Sequence, residues 1–397
     1  AIGLMHWRLG MWTPAIQLAV TAGIVPMIFA VSIRVIPVFA RRNWKSALGL
    51  QAQIGTTVAG GWLLFAGGIE RHVDVQRLGH ALLAAGGLLF ILNLISLFGQ
   101  LPMPNQSAPP TPYPEHRAID RVARRFTMLA GGFLVVGLAS GLATSIWPQR
   151  TGRWELVWAH ALLVGFFLSM TSGVCYHVLA RWTGAHWRWP QAIRLHLIAT
   201  VICLPVMLIA LATDHAVLFS IAGPLQALAL LLFLANILPM IWRMPHPSRE
   251  ALVLAIAALA SGLTLGAMFA GHPEVGARYR MVHAELNLFG WTGLLISGMA
   301  YYLVPRLFGH PLRWPRLAVV QVGLLAAGVT GTALASVWRI ERGGAEIVHA
   351  IGHGVVSFSF VLLGVLIGVT MLSARTGRTV ARIQLSTSFT RPPMRVS

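Results

Sequence analysis

The chain has 397 residues, of which 56% are hydrophobic and only 10% are charged, and its mean hydropathy is +0.71. A soluble domain carries about 25% charged residues, so this composition excludes an ordinary soluble protein. The formal net charge of +19 could by itself indicate a nucleic-acid partner, but the placement of the basic residues argues against one.

Apolar stretches of about 20 residues recur along the whole chain, as membrane-spanning helices require. The sequence therefore predicts an all-α integral membrane protein that contacts a lipid bilayer. In chain order the predicted segments cover about 14–40, 48–70, 78–99, 126–147, 155–181, 191–213, 217–243, 251–271, 279–307, 316–338 and 347–373.

Basic residues are concentrated after the odd-numbered segments, which is the bias typical of cytoplasmic loops. We therefore expect a bacterial inner (cytoplasmic) membrane protein with a cytoplasmic C-terminus and no nucleic-acid partner. The residues concerned are Arg41, Arg42, Lys45, Arg117, Arg121, Arg124, Arg125, Arg181, Arg188, Arg194, Arg243, Arg249, Arg306, Arg313, Arg316, Arg375, Arg378, Arg382, Arg391 and Arg395.

An internal repeat relates the fifth and ninth segments. At a constant offset of 125 residues, seven positions are identical: Gly173/Gly298, Tyr176/Tyr301, Arg181/Arg306, Gly184/Gly309, Arg188/Arg313, Trp189/Trp314 and Pro190/Pro315. The first segment ends in a weaker echo at 34–42, which makes segments one, five and nine equivalent and the repeating unit four helices long.

This period predicts 11–12 transmembrane helices as three four-helix repeats in a pseudo-threefold arrangement, with a twelfth helix expected upstream. The predicted units are 1–115, 116–250 and 251–375, followed by a basic cytoplasmic tail at 376–397. A second echo fits the same period, since Leu78-Gly-His-Ala opens the third segment and Ile351-Gly-His-Gly opens the eleventh.

Several histidines fall near the ends of segments that this topology places on the periplasmic side. They are His80, His160, His215, His283, His349 and His353. Neutral imidazole is a standard ligand of haem iron and of copper, and ionisable residues within a membrane are candidates for function. The pair four residues apart, His349 and His353, shares one helix face. Each histidine is also compatible with a hydrogen-bonded packing role.

Glu285 is the acidic residue within the ninth segment, and it should face the interior of a helix bundle. One interpretation is a proton-transfer group or a metal ligand. The other is an ion-pair partner of Arg278 or Arg280.

The ninth segment, Val282-His-Ala-Glu-Leu-Asn-Leu-Phe-Gly-Trp291 followed by Gly298-Met-Ala-Tyr-Tyr-Leu-Val-Pro-Arg306, resembles the tenth helix of the haem–copper oxidase catalytic subunit. The likeness is to the C-type oxidases and their nitric oxide reductase relatives, whose helix carries a His-x-His pair. The resemblance implies that His283 binds the high-spin haem. Glu285 stands where the low-spin haem ligand should be, which is a departure from the family pattern.

The fifth and sixth segments extend this resemblance. His160 matches a copper ligand of the family, and Asp214-His215 keeps one of two adjacent copper-binding histidines. The segments Arg34-Val-Ile-Pro-Val-Phe and His160-Ala-Leu-Leu-Val-Gly also resemble those of the NnrS family of haem- and copper-containing membrane proteins linked to nitric oxide metabolism.

Together these resemblances imply a divergent haem–copper-oxidase-like protein that binds haem b, with copper as a second candidate cofactor. It would act in nitric oxide or oxygen respiratory chemistry, as an oxidoreductase of the nitric oxide reductase or terminal oxidase type, with a c-type cytochrome or other redox subunit as partner. The implied roles are proton transfer for Glu285, cofactor binding for His283, His349, His353 and His80, and metal binding for His160, His215 and His283.

Two other classes remain open: a cofactor-depleted membrane subunit that anchors a redox complex, and a proton-coupled transporter.

Overall fold

The computed structural model of the chain describes residues 12–40, 42–101, 116–147, 151–342 and 344–376. In this part of the chain the regular secondary structure is entirely helical. Residues 377–397 of the predicted tail lie outside the described residues, as do residues 102–115 between the third and fourth helices.

The described residues form eleven helices, α1 to α11, and three of these pass without a break through a π-helical segment. The three are α1 (Trp12–Leu18, Ala19–Ile24, Val25–Ala40), α5 (Thr151–His160, Ala161–Leu168, Ser169–Thr183) and α9 (Pro273–Glu285, Leu286–Gly293, Leu294–Phe308). The others are α2 (Ala47–Ile69), α3 (Val73–Phe98), α4 (His116–Ile146), α6 (Pro190–Thr213), α7 (Ala216–Ile241), α8 (Ser248–Gly271), α10 (Pro315–Arg342) and α11 (Glu346–Thr376).

Ten of these helices are long and apolar enough to cross a membrane. The predicted all-α integral membrane fold is confirmed. The eleven predicted segments differ at one place, because α2 is a helix of 23 residues that is not among the ten. Its N-terminal half carries Gln51, Gln53, Thr56 and Thr57, which lower its mean hydropathy.

The π-helical segments recur in the three helices that the sequence repeat makes equivalent. The segments of α5 and α9 begin 125 residues apart, which is the offset of the sequence repeat. His160 and Glu285 each stand immediately before them, so these two candidate site residues occupy equivalent positions. Single π-helical turns are frequent at functional sites, because the extra residue re-aims the side chains around it. The three-unit arrangement itself stays a prediction.

Glycines bring α2 against α3, and α10 against α11, in the same way. A Cβ atom added to Gly79 would lie 2.9 Å from the carbonyl oxygen of Gly60, and one added to Gly352 would lie 3.3 Å from that of Gly328. Small residues let transmembrane helices approach this closely, which is how such helices gain packing energy in lipid. Gly79 and Gly352 are the glycines of the Gly-His echo, so the echo marks equivalent helix contacts.

We expect Gly352→Ala to lower the free energy of unfolding by about 1 kcal/mol, since the new methyl group would press on Thr332 and Gly328 of α10. Gly354→Ala is the matched control, because it lies on the same helix and nothing stands within 4 Å of its added Cβ. Thermal unfolding in detergent compares the two variants. Equal unfolding temperatures would contradict the close contact between α10 and α11.

The described residues divide into two compact units. One comprises residues 12–40, 42–101, 116–147, 151–240 and 266–273, and the other comprises residues 241–265, 274–342 and 344–376. The second unit contains most of α8, nearly all of α9, and α10 and α11. The predicted units at 1–115, 116–250 and 251–375 stay predictions.

Candidate metal centre

Glu285 is the centre of a buried polar cluster in the second unit. Its side chain has no exposed surface, and it stands at the end of the first α-helical part of α9. A carboxylate in such a place is costly unless it is paired or bound to a metal ion. Its partners come from two other helices, so the cluster depends on packing between α9, α10 and α11.

Two histidines of α11 face this carboxylate. His349 Nε2 donates to Glu285 Oε1 over 3.1 Å, and His353 Nε2 lies 3.4 Å from the same oxygen. Both imidazoles are buried, and their ring centroids are 4.5 Å apart with the planes steeply inclined. The spacing of four residues puts both rings on one face of α11, as the sequence predicts. The alternative pairing of Glu285 with Arg278 or Arg280 is wrong, because its hydrogen bonds go to α10 and α11.

A hydroxyl and an aromatic ring surround the three ligand candidates. The Ser336 hydroxyl of α10 donates to Glu285 Oε2 over 3.2 Å. The Phe289 ring stands edge-on to His353, with centroids 6.0 Å apart. Hydrogen bonds of this kind orient metal-binding side chains and tune their basicity, while an apolar wall restricts solvent access. Sequence reasoning missed Ser336, although a polar residue near the C-terminal end of an otherwise apolar helix was a usable signal.

The three donors fit a transition-metal ion. Their ligand atoms lie within 4.8 Å of one another, and among the described residues they are the group of three or more with that geometry. With metal–ligand bonds of about 2.1 Å, neighbouring ligand atoms lie ~3.0 Å apart in an octahedral site and ~3.4 Å apart in a tetrahedral one. The two nitrogen–oxygen separations, 3.1 and 3.4 Å, fall within this range. Two imidazoles and one carboxylate suit zinc or non-haem iron.

His283 lies two residues before Glu285, and its contact is with a neighbouring helix. Its Nδ1 donates to the carbonyl oxygen of Gly262 in α8 over 2.8 Å, and the Asn287 amide lies 3.4 Å from both ring nitrogens. A bond from Nδ1–H to a backbone carbonyl leaves the lone pair on Nε2, which is the tautomer of many metal-binding histidines. His283 is half-buried, and its assignment to haem stays a prediction.

The other three predicted histidines lie in the first unit. His80 of α3 is buried, and its Nε2 lies 3.2 Å from the Thr144 hydroxyl of α4. His160 donates from Nδ1 to the carbonyl oxygen of Leu156, one turn back in α5. His215 is exposed, and its Nδ1 accepts the backbone N–H of Leu218 at the start of α7. These are the hydrogen bonds of packing and helix-capping residues. Cofactor binding by His80 and metal binding by His160 and His215 stay predictions.

A second polar motif, which sequence reasoning missed, recurs at the 125-residue offset. The Tyr176 hydroxyl of α5 lies 3.0 Å from His196 Nδ1 of α6. At the equivalent positions, the Tyr301 hydroxyl of α9 donates to Gln321 Oε1 of α10 over 2.8 Å. All four side chains are buried. The identity of the two tyrosines was visible in the repeat, whereas the His-to-Gln exchange hid their partners.

Comparison with known proteins identifies the fold of the chain, through solved structures alone. No protein-family model matches the chain, and no curated protein matches it. Among solved structures, 19 chains match. One is a cryo-EM structure of a haem–copper terminal oxidase dimer, with a TM-score of 0.71 over 94% of this chain and 81% of that one, at 15% sequence identity. The chain has the fold of a haem–copper terminal oxidase. At this identity the likeness concerns the fold alone, and one fold can support many functions.

Proposed function

We propose that this chain is a metal-binding membrane redox protein that holds a first-row transition-metal ion on Glu285, His349 and His353. The observation that carries the proposal is the buried carboxylate with two imidazole nitrogens at 3.1 and 3.4 Å. A bound ion of this kind would supply a Lewis-acidic or redox-active centre for a small ligand. The haem–copper-oxidase fold favours nitric oxide or oxygen as that ligand.

The protein residues have separate tasks in such a site. Glu285 supplies the negative charge that offsets the ion, and Ser336 fixes the orientation of its carboxylate. His349 and His353 are held by successive turns of one helix, so they are presented together. Phe289 limits access of water to the His353 side. Without an ion, the Glu285 carboxylate accepts a hydrogen bond from His349. The Glu285–His349 pair would then be able to take up or release a proton.

The residues around His283 fit one haem, but they do not fit a second haem with two histidine ligands. The Nδ1 bond of His283 to Gly262 fits an imidazole that ligates iron through Nε2, so His283 would hold a haem b. A second, bis-histidine haem does not fit, because its second ligand position is Glu285 and that carboxylate is bonded to α10 and α11. Electrons would therefore come from a partner, such as a c-type cytochrome or another redox subunit.

The proposal also includes copper binding, which rests on the family resemblance, and a membrane orientation, which rests on the basic loops. Copper would be held by His160 and His215. The basic loops favour the bacterial inner membrane, with the C-terminus in the cytoplasm. Glu285, His349 and His353 lie near the starts of α9 and α11 and Ser336 near the end of α10, which puts the cluster toward the periplasmic side in this topology.

Proton-coupled transport is the second candidate function, and one observation favours it. Ser336, Glu285 and His349 form a chain of hydrogen bonds through the interior of the helix group, and buried carboxylate–histidine chains are typical of proton relays in membranes. In that case the purified protein would hold no stoichiometric metal, and Glu285→Gln would abolish substrate-dependent proton flux in proteoliposomes.

Metal analysis and an absorption spectrum of the purified protein test the redox proposal. We expect about one transition-metal ion per chain, and a reduced haem band that shifts with carbon monoxide or nitric oxide. His283→Ala should remove the shifting band, while His310→Ala, two residues beyond the opposite end of α9, should leave it unchanged. Protein that contains neither metal nor haem would overturn the redox proposal and leave the transport one.

A further inference from the structure

An apolar groove runs between α4 and α6 within the first unit, on an exposed surface of these two helices. Its volume is ≈ 450 Å³, and its lining residues are Arg125, Met128, Leu129, Leu197, Ile198, Val201 and Ile202. Leu197 is buried and forms part of the floor, whereas Met128, Ile198 and Ile202 are exposed. The lining is apolar apart from Arg125, so the groove suits a hydrocarbon chain.

Arginines gather at one end of this groove. Arg121, Arg124 and Arg125 lie on the exposed side of α4, seven, four and three residues before Met128, and Arg194 is exposed four residues before Ile198 on α6. Helices α4, α5 and α6 are consecutive, and each is long and apolar enough to cross a membrane. When all three cross it, the N-terminal ends of α4 and α6 lie at the same membrane surface. The four guanidinium groups therefore stand where a phospholipid headgroup would lie when its acyl chain occupies the groove.

Acidic side chains of the described residues do not neutralise these four arginines. Asp120, the acidic residue nearest in sequence among those described, is held by Arg181 through two hydrogen bonds of 3.0 and 2.7 Å and by His177 over 2.8 Å. Within the described part of the chain no carboxylate is bonded to Arg121, Arg124, Arg125 or Arg194. An unpaired group of arginines at a lipid surface favours an anionic ligand.

The repeat shows that the fold does not require this charge. At the 125-residue offset, Arg124 and Arg125 correspond to Arg249 and Glu250 at the start of α8. There the arginine donates to the glutamate over 3.0 and 2.6 Å, and His246 Nδ1 lies 2.9 Å from the same carboxylate. The positive charge of Arg249 is thus neutralised by Glu250, whereas Arg124 and Arg125 at the equivalent positions of α4 both remain positive.

From the groove and its charged end, we propose that the α4–α6 surface is a binding site for one anionic phospholipid. The acyl chain lies along Met128, Ile198, Val201 and Ile202, and the phosphate is bound by Arg121, Arg124, Arg125 and Arg194. Basic pockets between transmembrane helices at the cytoplasmic side recognise such headgroups. Arginine is suited to the task because its planar guanidinium forms paired hydrogen bonds with phosphate oxygens.

Titration with a fluorescent phosphatidylglycerol in neutral detergent micelles tests the site. Removing two arginines in Arg124→Gln/Arg125→Gln should weaken binding roughly 30-fold, at about fivefold for each charge. The control Arg313→Gln/Arg316→Gln removes the same charge from the first turn of α10 and the loop before it, and it should change the affinity less than twofold. Equal weakening in both double variants would overturn the proposal, because it would indicate general attraction to a basic surface.

A variant that keeps the charge tests the groove itself. Val201→Phe should fill the groove and weaken phosphatidylglycerol binding about tenfold while its unfolding temperature in neutral detergent stays near that of the parent protein. Unchanged lipid affinity in Val201→Phe would overturn the acyl-chain site. Displacement of the lipid by equimolar inorganic phosphate would also overturn it, since the arginines would then bind a phosphate ion without a chain.

Discussion

Glu285→Gln is expected to lower the affinity of the protein for a divalent transition metal by roughly 100-fold or more. Loss of a residue that only supports the ligands costs 10- to 100-fold in many metal sites, and Glu285 is itself a ligand candidate. Glutamine keeps the size and the acceptor oxygen but removes the negative charge. Cobalt(II) is a suitable probe, because its visible absorption responds to the ligand set and a competing chelator then gives the affinity.

Two companion variants separate a metal centre from a general effect of charge. Glu346→Gln makes the same change at an exposed residue at the start of α11 and should leave cobalt affinity unchanged. Ser336→Ala removes the hydroxyl that orients the Glu285 carboxylate and should weaken binding about tenfold. If Glu285→Gln binds cobalt as tightly as Glu346→Gln does, the cluster is a hydrogen-bonded packing element and not a metal centre.

Hydropathy was a sufficient guide to most of the fold. Ten predicted segments coincide with helices that can span a membrane, because a spanning helix must satisfy its backbone internally and cover about 20 residues with apolar side chains. The exception, α2, places the buried Gln53 and Thr57 toward its neighbours. Residues of this kind stabilise contacts between helices, yet they lower the average hydropathy on which the prediction depends.

The candidate site could be predicted only in part. The four-residue spacing of His349 and His353 is a local property of one helix, so their shared face followed directly. Their contact with Glu285 could not, since 64 residues separate Glu285 from His349 and three helices must pack before the side chains meet. The π-helical segment after Glu285 adds a further rotation of α9, which a regular periodicity of 3.6 residues does not anticipate.

The repeated polar motif pairs its tyrosine with His196 in one copy and with Gln321 in the other. This difference makes it possible to test how the motif stabilises the helices. Both residues sit at the same place in the repeat and both bond to the equivalent tyrosine. Their surroundings differ, because the His196 ring packs against Phe126 at 4.6 Å and Phe233 at 5.4 Å between centroids. Gln321 instead donates to Ser359 over 3.0 Å.

His196→Leu is therefore expected to destabilise the protein more than His196→Gln, by about 1–3 kcal/mol, which is the cost of a buried hydroxyl without a partner. A glutamine at position 196 can accept a hydrogen bond from the Tyr176 hydroxyl, as Gln321 does from Tyr301. The His196→Gln variant should therefore lose only the aromatic contacts of the imidazole ring, worth about 0.5–1.5 kcal/mol. Unfolding in mixed micelles, followed by circular dichroism, gives both free energies.

A double-mutant cycle ties that difference to the hydrogen bond. Tyr176→Phe should be costly in the parent protein, because it leaves the His196 nitrogen without its partner. In the His196→Leu background the same substitution should instead restore much of the lost stability, because it removes the hydroxyl that His196→Leu leaves without a partner in the apolar interior. Additive effects of the two substitutions would instead mean that the tyrosine and the imidazole are stabilised by separate contacts. Coupling of at least 1 kcal/mol would establish the Tyr176–His196 bond as the feature that the repeat preserves with a different partner.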